Sequence, residues 1–133
     1  MIALPPVNIV GAIAAAVAAF LIGGIYWAVV TPAWSRYLGN PPEEGRPTPA
    51  RLGIAFITRI VVAGVLAVFV AWSGAEGAGG GAEVGLMAWL GFVIPLNIGQ
   101  AAFERKPWQV VALGLPESLM GFVVMGIIVG AWT

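Results

Sequence analysis

The sequence predicts an all-α fold, a polytopic transmembrane four-helix bundle with both termini on the non-cytoplasmic side of the membrane. Four apolar segments point to this fold, at residues 7–30, 52–72, 84–103 and 110–132. Each is about 20 residues or longer, which is roughly what a helix rising about 1.5 Å per residue needs to cross about 30 Å of hydrocarbon. We therefore expect a single transmembrane domain over residues 1–133.

The composition agrees with lipid as the solvent. Hydrophobic residues make up 60% of the chain and charged residues 9%, against about 25% charged in a typical soluble domain. The net charge of zero argues against nucleic acid as a partner, because no excess of cations is available for phosphates. Cysteine and histidine are absent, so the usual thiolate and imidazole ligands are missing. We predict no metal site, no cofactor and no catalytic residues, and hence no enzyme.

The first span contains a stripe of small residues. The chain starts without the basic region of a secretory signal, so we expect residues 7–30 to be an uncleaved helix. Gly11, Ala15, Ala19 and Gly23 recur every four residues and therefore share one face of that helix. Small residues allow close approach of helices in lipid. This face could pack inside the bundle or against another copy of the chain.

The basic residues of the loops lie on alternate sides of the membrane. They are Arg36, Arg46 and Arg51 after the first span, and Arg105 and Lys106 after the third. The other loop and both ends of the chain contain no lysine or arginine. Positive charge favours the cytoplasmic side, so both basic loops are expected there. Residues 40–49 are rich in proline and predict an extended connector, whereas the glycine-rich residues 73–83 predict a flexible tether outside.

The third and fourth spans each contain a proline, and the fourth also contains a pair of glycines. Pro95 and Pro116 are expected to kink their helices, because each removes a backbone donor. Gly126 and Gly130 provide a second small-residue contact face on the fourth span. Aromatic residues near the span ends predict interfacial belts. They include Tyr26, Trp27, Trp34, Trp72, Trp108 and Trp132.

Polar residues of three spans are expected at similar depth in the cytoplasmic half of the bundle. At about 1.5 Å per residue, Arg59 lies about 12 Å and Glu117 about 13 Å from that side, with Asn97 and Gln100 at about 10 and 6 Å. An unpaired charge at such depth costs at least about 2.5 kcal/mol. We therefore predict a salt bridge or a one-water bridge between Arg59 and Glu117, and a polar cluster that also includes the two amides. The cluster could be a clasp that fixes helix register, or a site for an ion, a proton or a small solute.

Several short motifs resemble one family of small bacterial membrane proteins. The motifs are Gly24-Ile25-Tyr26-Trp27, Leu90-Gly91-Phe92-Val93-Ile94-Pro95 and Phe103-Glu104-Arg105-Lys106-Pro107-Trp108. Together they resemble the domain-of-unknown-function family 1761 (DUF1761). The resemblance implies four spans and a bacterial membrane, and it implies no particular activity.

Three functions remain open at this point. The first is a small structural or accessory subunit of the bacterial inner membrane, associating with another membrane protein or a second copy through its small-residue faces. The second is an oligomeric carrier of an ion or small solute that uses the polar cluster. The third is a membrane enzyme or a lipid-binding protein. Purification alone as a symmetric oligomer, or only with a larger complex, discriminates between the first two.

Overall fold

The computed structural model describes residues 4–39 and 48–132. Over these residues the fold is all α, with α1 at Ile9–Leu38, α2 at Pro49–Ser73, α3 at Gly77–Ala88, α4 at Ile94–Glu104 and α5 at Trp108–Ala131. A π-helical turn at Trp89–Val93 joins α3 to α4, so the two form one continuous third span. Within the described residues, four spans are long and apolar enough to cross a membrane. The all-α prediction is confirmed, and the chain is a multi-pass membrane protein.

The span boundaries differ from the predicted ones mainly at two places. The first helix continues past residue 30 to Leu38 with Pro32 inside it. The third span begins at Gly77, so the prediction of a flexible tether over residues 73–83 is wrong for its greater part. The remaining turn is short, and Gly74 caps α2 at a φ of 74°. The predicted connector at 40–49 lies largely outside the described residues, which resume at Thr48.

Alanine and glycine dominate the interior of the bundle. The buried cluster comprises Ala12, Ala15, Ala16 and Ala19 of α1, Ala63, Leu66 and Val70 of α2, Ala88 of α3, and Met125 and Val129 of α5. Helix α5 lies centrally, with α1 and α3 against it and α2 packed on α1 and α5. Small side chains let these helix backbones approach closely, which supplies the van der Waals contact that holds helices together in lipid.

Helices α3 and α5 meet along an antiparallel glycine seam. A Cβ at Gly130 would lie 3.0 Å from the Cα of Gly81, and a Cβ at Gly126 would lie 3.4 Å from the Cα of Gly85. A Cβ at Gly85 would in turn lie 3.0 Å from the carbonyl carbon of Phe122. The contacts advance one helical turn at a time along both helices. The apparent tether is therefore helical because its glycines allow this close backbone contact, whereas glycine in a solvated helix is unfavourable.

The seam ends where the third span changes its geometry. The π-helical turn at Trp89–Val93 lies just before Pro95, and the Ile94 N–H donates to the carbonyl of Trp89. A π-helical turn adds one residue to the helical repeat and so rotates everything beyond it. Helix α4 follows this turn, contains no buried residue, and has few contacts with α5. The predicted irregularity at Pro95 is thus present, in the form of a π turn that directs α4 away from the bundle.

Candidate functional site

An ion pair links the second and fourth spans inside the bundle. Nη2 of Arg59 lies 2.5 Å from Oε1 of Glu117. Arg59 is ten residues from the start of α2 and Glu117 nine from the start of α5, which places both about 14 Å along their helices from the same end. The two side chains are 23% and 13% exposed. The predicted salt bridge is confirmed.

Helix α1 covers this ion pair with a glycine. A Cβ at Gly23 would lie 2.6 Å from Oε1 of Glu117 and 2.7 Å from Nη2 of Arg59. The next residue, Gly24, has open space at the corresponding position. Gly23 is therefore the point on the small-residue stripe where the backbone of α1 closes over the two charged groups, and any larger residue would have to displace them.

The stripe on α1 lies wholly within the bundle. Gly11 and Gly23 are buried, Ala15 is 0% exposed and Ala19 is 1% exposed. Near the start of α1, a Cβ at Gly11 would lie 2.8 Å from Cγ of Trp132, which follows the last residue of α5. Of the two alternatives for this face, the structure has it packed against the chain's own helices.

Three hydrogen bonds lie around the ion pair, and none of them was predicted from the sequence. The hydroxyl of Tyr26 on α1 donates to the carbonyl of Leu113, in the turn of α5 just before Pro116. The indole N–H of Trp89 donates to Oγ of Ser118 at 2.9 Å, and that hydroxyl donates to the carbonyl of Leu115 at 2.9 Å. Tyr26 thus forms a helix-to-helix bond, a role additional to the interfacial belt predicted for it.

The two amides do not join the ion pair, so that part of the predicted cluster is wrong. Asn97 and Gln100 are both exposed, and Nδ2 of Asn97 donates to the carbonyl of Val93 on its own helix at 2.7 Å. In a straight α-helix Gln100, about three turns after Trp89, would return to the face that meets α5. The extra residue of the π-helical turn breaks that phase, which turns both amides away from the interior.

The ion pair and the hydrogen bonds beside it bring together residues of all four spans. Arg59 belongs to α2, Glu117 and Ser118 to α5, Trp89 to the third span and Gly23 to α1. Within residues 4–39 and 48–132 there is no group of three acidic, histidine or cysteine residues that could hold a metal ion. In this arrangement the two charges neutralise each other. The ion pair can also fix the axial position of α2 relative to α5.

The comparison with known proteins gives a family. Residues 10–130 match DUF1761, described as a protein of unknown function. The chain belongs to this family. The resemblance drawn from the three sequence motifs is confirmed over almost the whole chain. No curated protein and no solved structure matches the sequence.

Proposed function

We propose that this chain is a small structural or accessory subunit of a bacterial inner-membrane assembly, docked on a transmembrane helix of another membrane protein through α4. The observation that supports this most is the state of α4 itself. None of its residues is buried, although it is the second half of a membrane span. Helices α1, α2, α3 and α5 all contribute residues to the buried core.

Helix α4 combines large apolar side chains with amides. Leu96 is 65% exposed and Phe103 is 94% exposed, and Gln100 lies between them on the outward face. Apolar side chains are stable against lipid, but an amide without a hydrogen-bond partner is not. Hydrogen bonds between helices in membranes contribute about 0.6 to 2 kcal/mol each. A partner helix with a polar side chain at the depth of Gln100 would satisfy this amide and cover the apolar residues beside it.

The docking face is therefore different from the one expected from the sequence. Gly11, Ala15, Ala19 and Gly23 are occupied by contacts within the chain, as are Gly126 and Gly130. They are not free to receive another protein, because the neighbouring helices already contact them. Gly99 of α4 has open space around it and allows close approach of another helix, as does Gly91 in the preceding π-helical turn.

The ion pair supports a clasp better than a carrier site. Oε1 of Glu117 already accepts a bond from Arg59, and α1 covers both groups at Gly23. A carrier would have to open this contact in each cycle and solvate two charges. The variant Glu117→Gln separates the two functions. Glutamine keeps an oxygen that can accept from Arg59, so it weakens a clasp much less than Glu117→Ala does, whereas a proton or cation site loses its activity.

The test of docking is the particle mass in native membranes. We expect wild-type protein extracted with its surrounding lipid to give one discrete complex by native mass spectrometry, and the double variant Leu96→Ala/Gln100→Ala to give the isolated chain. The control Val61→Ala, at a residue that is 59% exposed on α2, should keep the complex. A single chain in the wild-type sample, or a complex that survives the α4 substitutions, would overturn the proposal. A mass of two chains would make the partner a second copy.

The proposed orientation, with both termini outside, rests on the basic loops. The sequence contains no cysteine, so single cysteines can report it. We expect a membrane-impermeant maleimide to label Glu76→Cys in intact spheroplasts and Lys106→Cys only after lysis. The opposite pattern would reverse the topology.

A further inference from the structure

A groove opens between α2 and the outer half of the third span, away from both the ion pair and α4. Its volume is about 660 Å³, within the range of sites that hold small molecules. The lining residues are Phe69, Ser73, Gly74, Ala75, Gly80, Glu83, Val84, Met87, Ala88 and Phe92. One acid is thus present in a mostly apolar groove that contains no lysine or arginine.

The register of the glycine seam places Glu83 inside the membrane span. Gly81 contacts Gly126 and Gly85 contacts Phe122, so Glu83 is level with the part of α5 between those two residues. That level is about two turns, or about 12 Å, below Trp132 at the outer end of α5. The sequence predicts a flexible tether over residues 73–83, and Glu83 is the last residue of that segment. It is instead a second carboxyl group within a span.

Glu83 has no ion pair or hydrogen bond with any of the described residues. The ion pairs there are Arg59 with Glu117, and Lys106 with Glu104 near the opposite end of the molecule. A carboxylate at this depth is unfavourable when it is unpaired. A cation in the groove would compensate it, and because the lining contains no lysine or arginine, a bound ligand would supply that cation.

Below Glu83 the groove becomes apolar. The rings of Phe69 and Phe92 have centroids 6.3 Å apart at 53°, and Trp72 stacks on Phe69 at 6.1 Å. Met87 is 66% exposed along the same wall. Met87 and Phe92 are roughly one and two and a half helical turns beyond Glu83 along the third span, and the ring of Phe69 meets Phe92 from α2. They form a surface that suits an alkyl chain whose head group is at Glu83.

We propose that this groove binds a cationic amphiphile from the outer leaflet, with its ammonium head at the carboxylate of Glu83 and its alkyl chain along Met87, Phe69 and Phe92. A single positive charge matches the single acid of the lining. An anionic head group would meet the carboxylate and be repelled. This ligand site is independent of the docking role proposed for α4, because the two share no residue.

The test uses dodecyltrimethylammonium as the probe and purified protein in dodecyl maltoside micelles. Native mass spectrometry should detect one bound probe per chain, and quenching of tryptophan fluorescence should saturate as the probe is added. Glu83→Gln should weaken the apparent affinity by about tenfold or more. The matched control Glu76→Gln, an exposed acid at the same end of the molecule, should leave it unchanged.

Two further measurements make the result decisive. Dodecyl sulfate has the same chain and the opposite charge, and it should not saturate. Met87→Trp fills the apolar part of the groove while Glu83 stays in place, and it should also abolish saturable binding. This variant keeps the proposal testable if Glu83→Gln proves unstable by circular dichroism. Equal binding of dodecyl sulfate, unchanged affinity in Glu83→Gln, or binding that persists in Met87→Trp would each overturn the site. None of these outcomes bears on the docking of α4.

Discussion

Removing either partner of the ion pair between Arg59 and Glu117 should destabilise the bundle far more than removing both. The side chains are 23% and 13% exposed, and α1 covers them at Gly23. Breaking a buried pair by removing one partner costs about 3 to 5 kcal/mol. The residual exposure of this pair favours the lower end, so Glu117→Ala should cost about 3 kcal/mol, or about a hundredfold in the folding equilibrium.

The double variant Arg59→Met/Glu117→Leu provides the contrast. Replacing both charges with apolar residues of similar volume removes the desolvation cost together with the attraction, and such exchanges are often neutral or stabilising. We expect this variant to unfold within about 1 kcal/mol of the wild type. Arg59→Ala alone should resemble Glu117→Ala, because each leaves one charge without its partner.

The assay is reversible unfolding in mixed micelles of dodecyl maltoside and dodecyl sulfate, followed by tryptophan fluorescence and far-ultraviolet circular dichroism. Val61→Ala, at a lipid-facing residue on the same helix as Arg59, is the control and should change the free energy of unfolding little. The reasoning is refuted if Glu117→Ala costs less than about 0.5 kcal/mol, or if the double variant loses as much as the two single variants together.

Three further predictions concern the close contacts of the helices. Gly126→Ala should destabilise the bundle by about 1 to 3 kcal/mol, because a methyl group would overpack the seam. Gly64→Ala, with open space around it, should be neutral or slightly stabilising in the same unfolding assay. Equal effects of the two variants would contradict the seam. Gly23→Ala should lower the denaturant midpoint and Gly24→Ala should not. A lower midpoint for Gly24→Ala than for Gly23→Ala would contradict the close contact of α1 with the ion pair. Trp89→Phe removes one hydrogen-bond donor and should cost about 1 kcal/mol in unfolding experiments, in addition to its loss of ring area, while an unchanged stability would count against the indole bond.

The features that reduce the free-energy cost of placing polar groups in lipid could be predicted from the sequence. The four apolar segments predict four spans, because a helix makes all its backbone hydrogen bonds internally and is therefore stable in hydrocarbon. The pairing of Arg59 with Glu117 follows from the cost of leaving either charge alone at similar depth. The burial of the α1 stripe from Gly11 to Gly23 follows from the need of lipid-solvated helices for close contact, although the sequence left open which helix would meet it.

The features that depend on helix phase could not be predicted. Asn97 and Gln100 have the depth expected of them, but the π-helical turn before Pro95 rotates them outward, and periodicity alone does not distinguish that turn from a simple proline kink. The glycines of residues 77–81 were assigned to a tether because glycine favours flexible loops in water. One signal was present: Gly77, Gly81 and Gly85 have the same four-residue spacing as Gly126 and Gly130.

The central claim is that α4 is covered by another membrane protein while the other lipid-facing surfaces are not. Site-specific photocrosslinking in native membranes tests it most directly, with a benzophenone maleimide attached at Leu96→Cys or at Ile54→Cys. These residues are 65% and 63% exposed, so the labels have similar freedom. We predict one discrete protein adduct from position 96 and none from position 54. No adduct from position 96, or the same adducts from both positions, would contradict the claim.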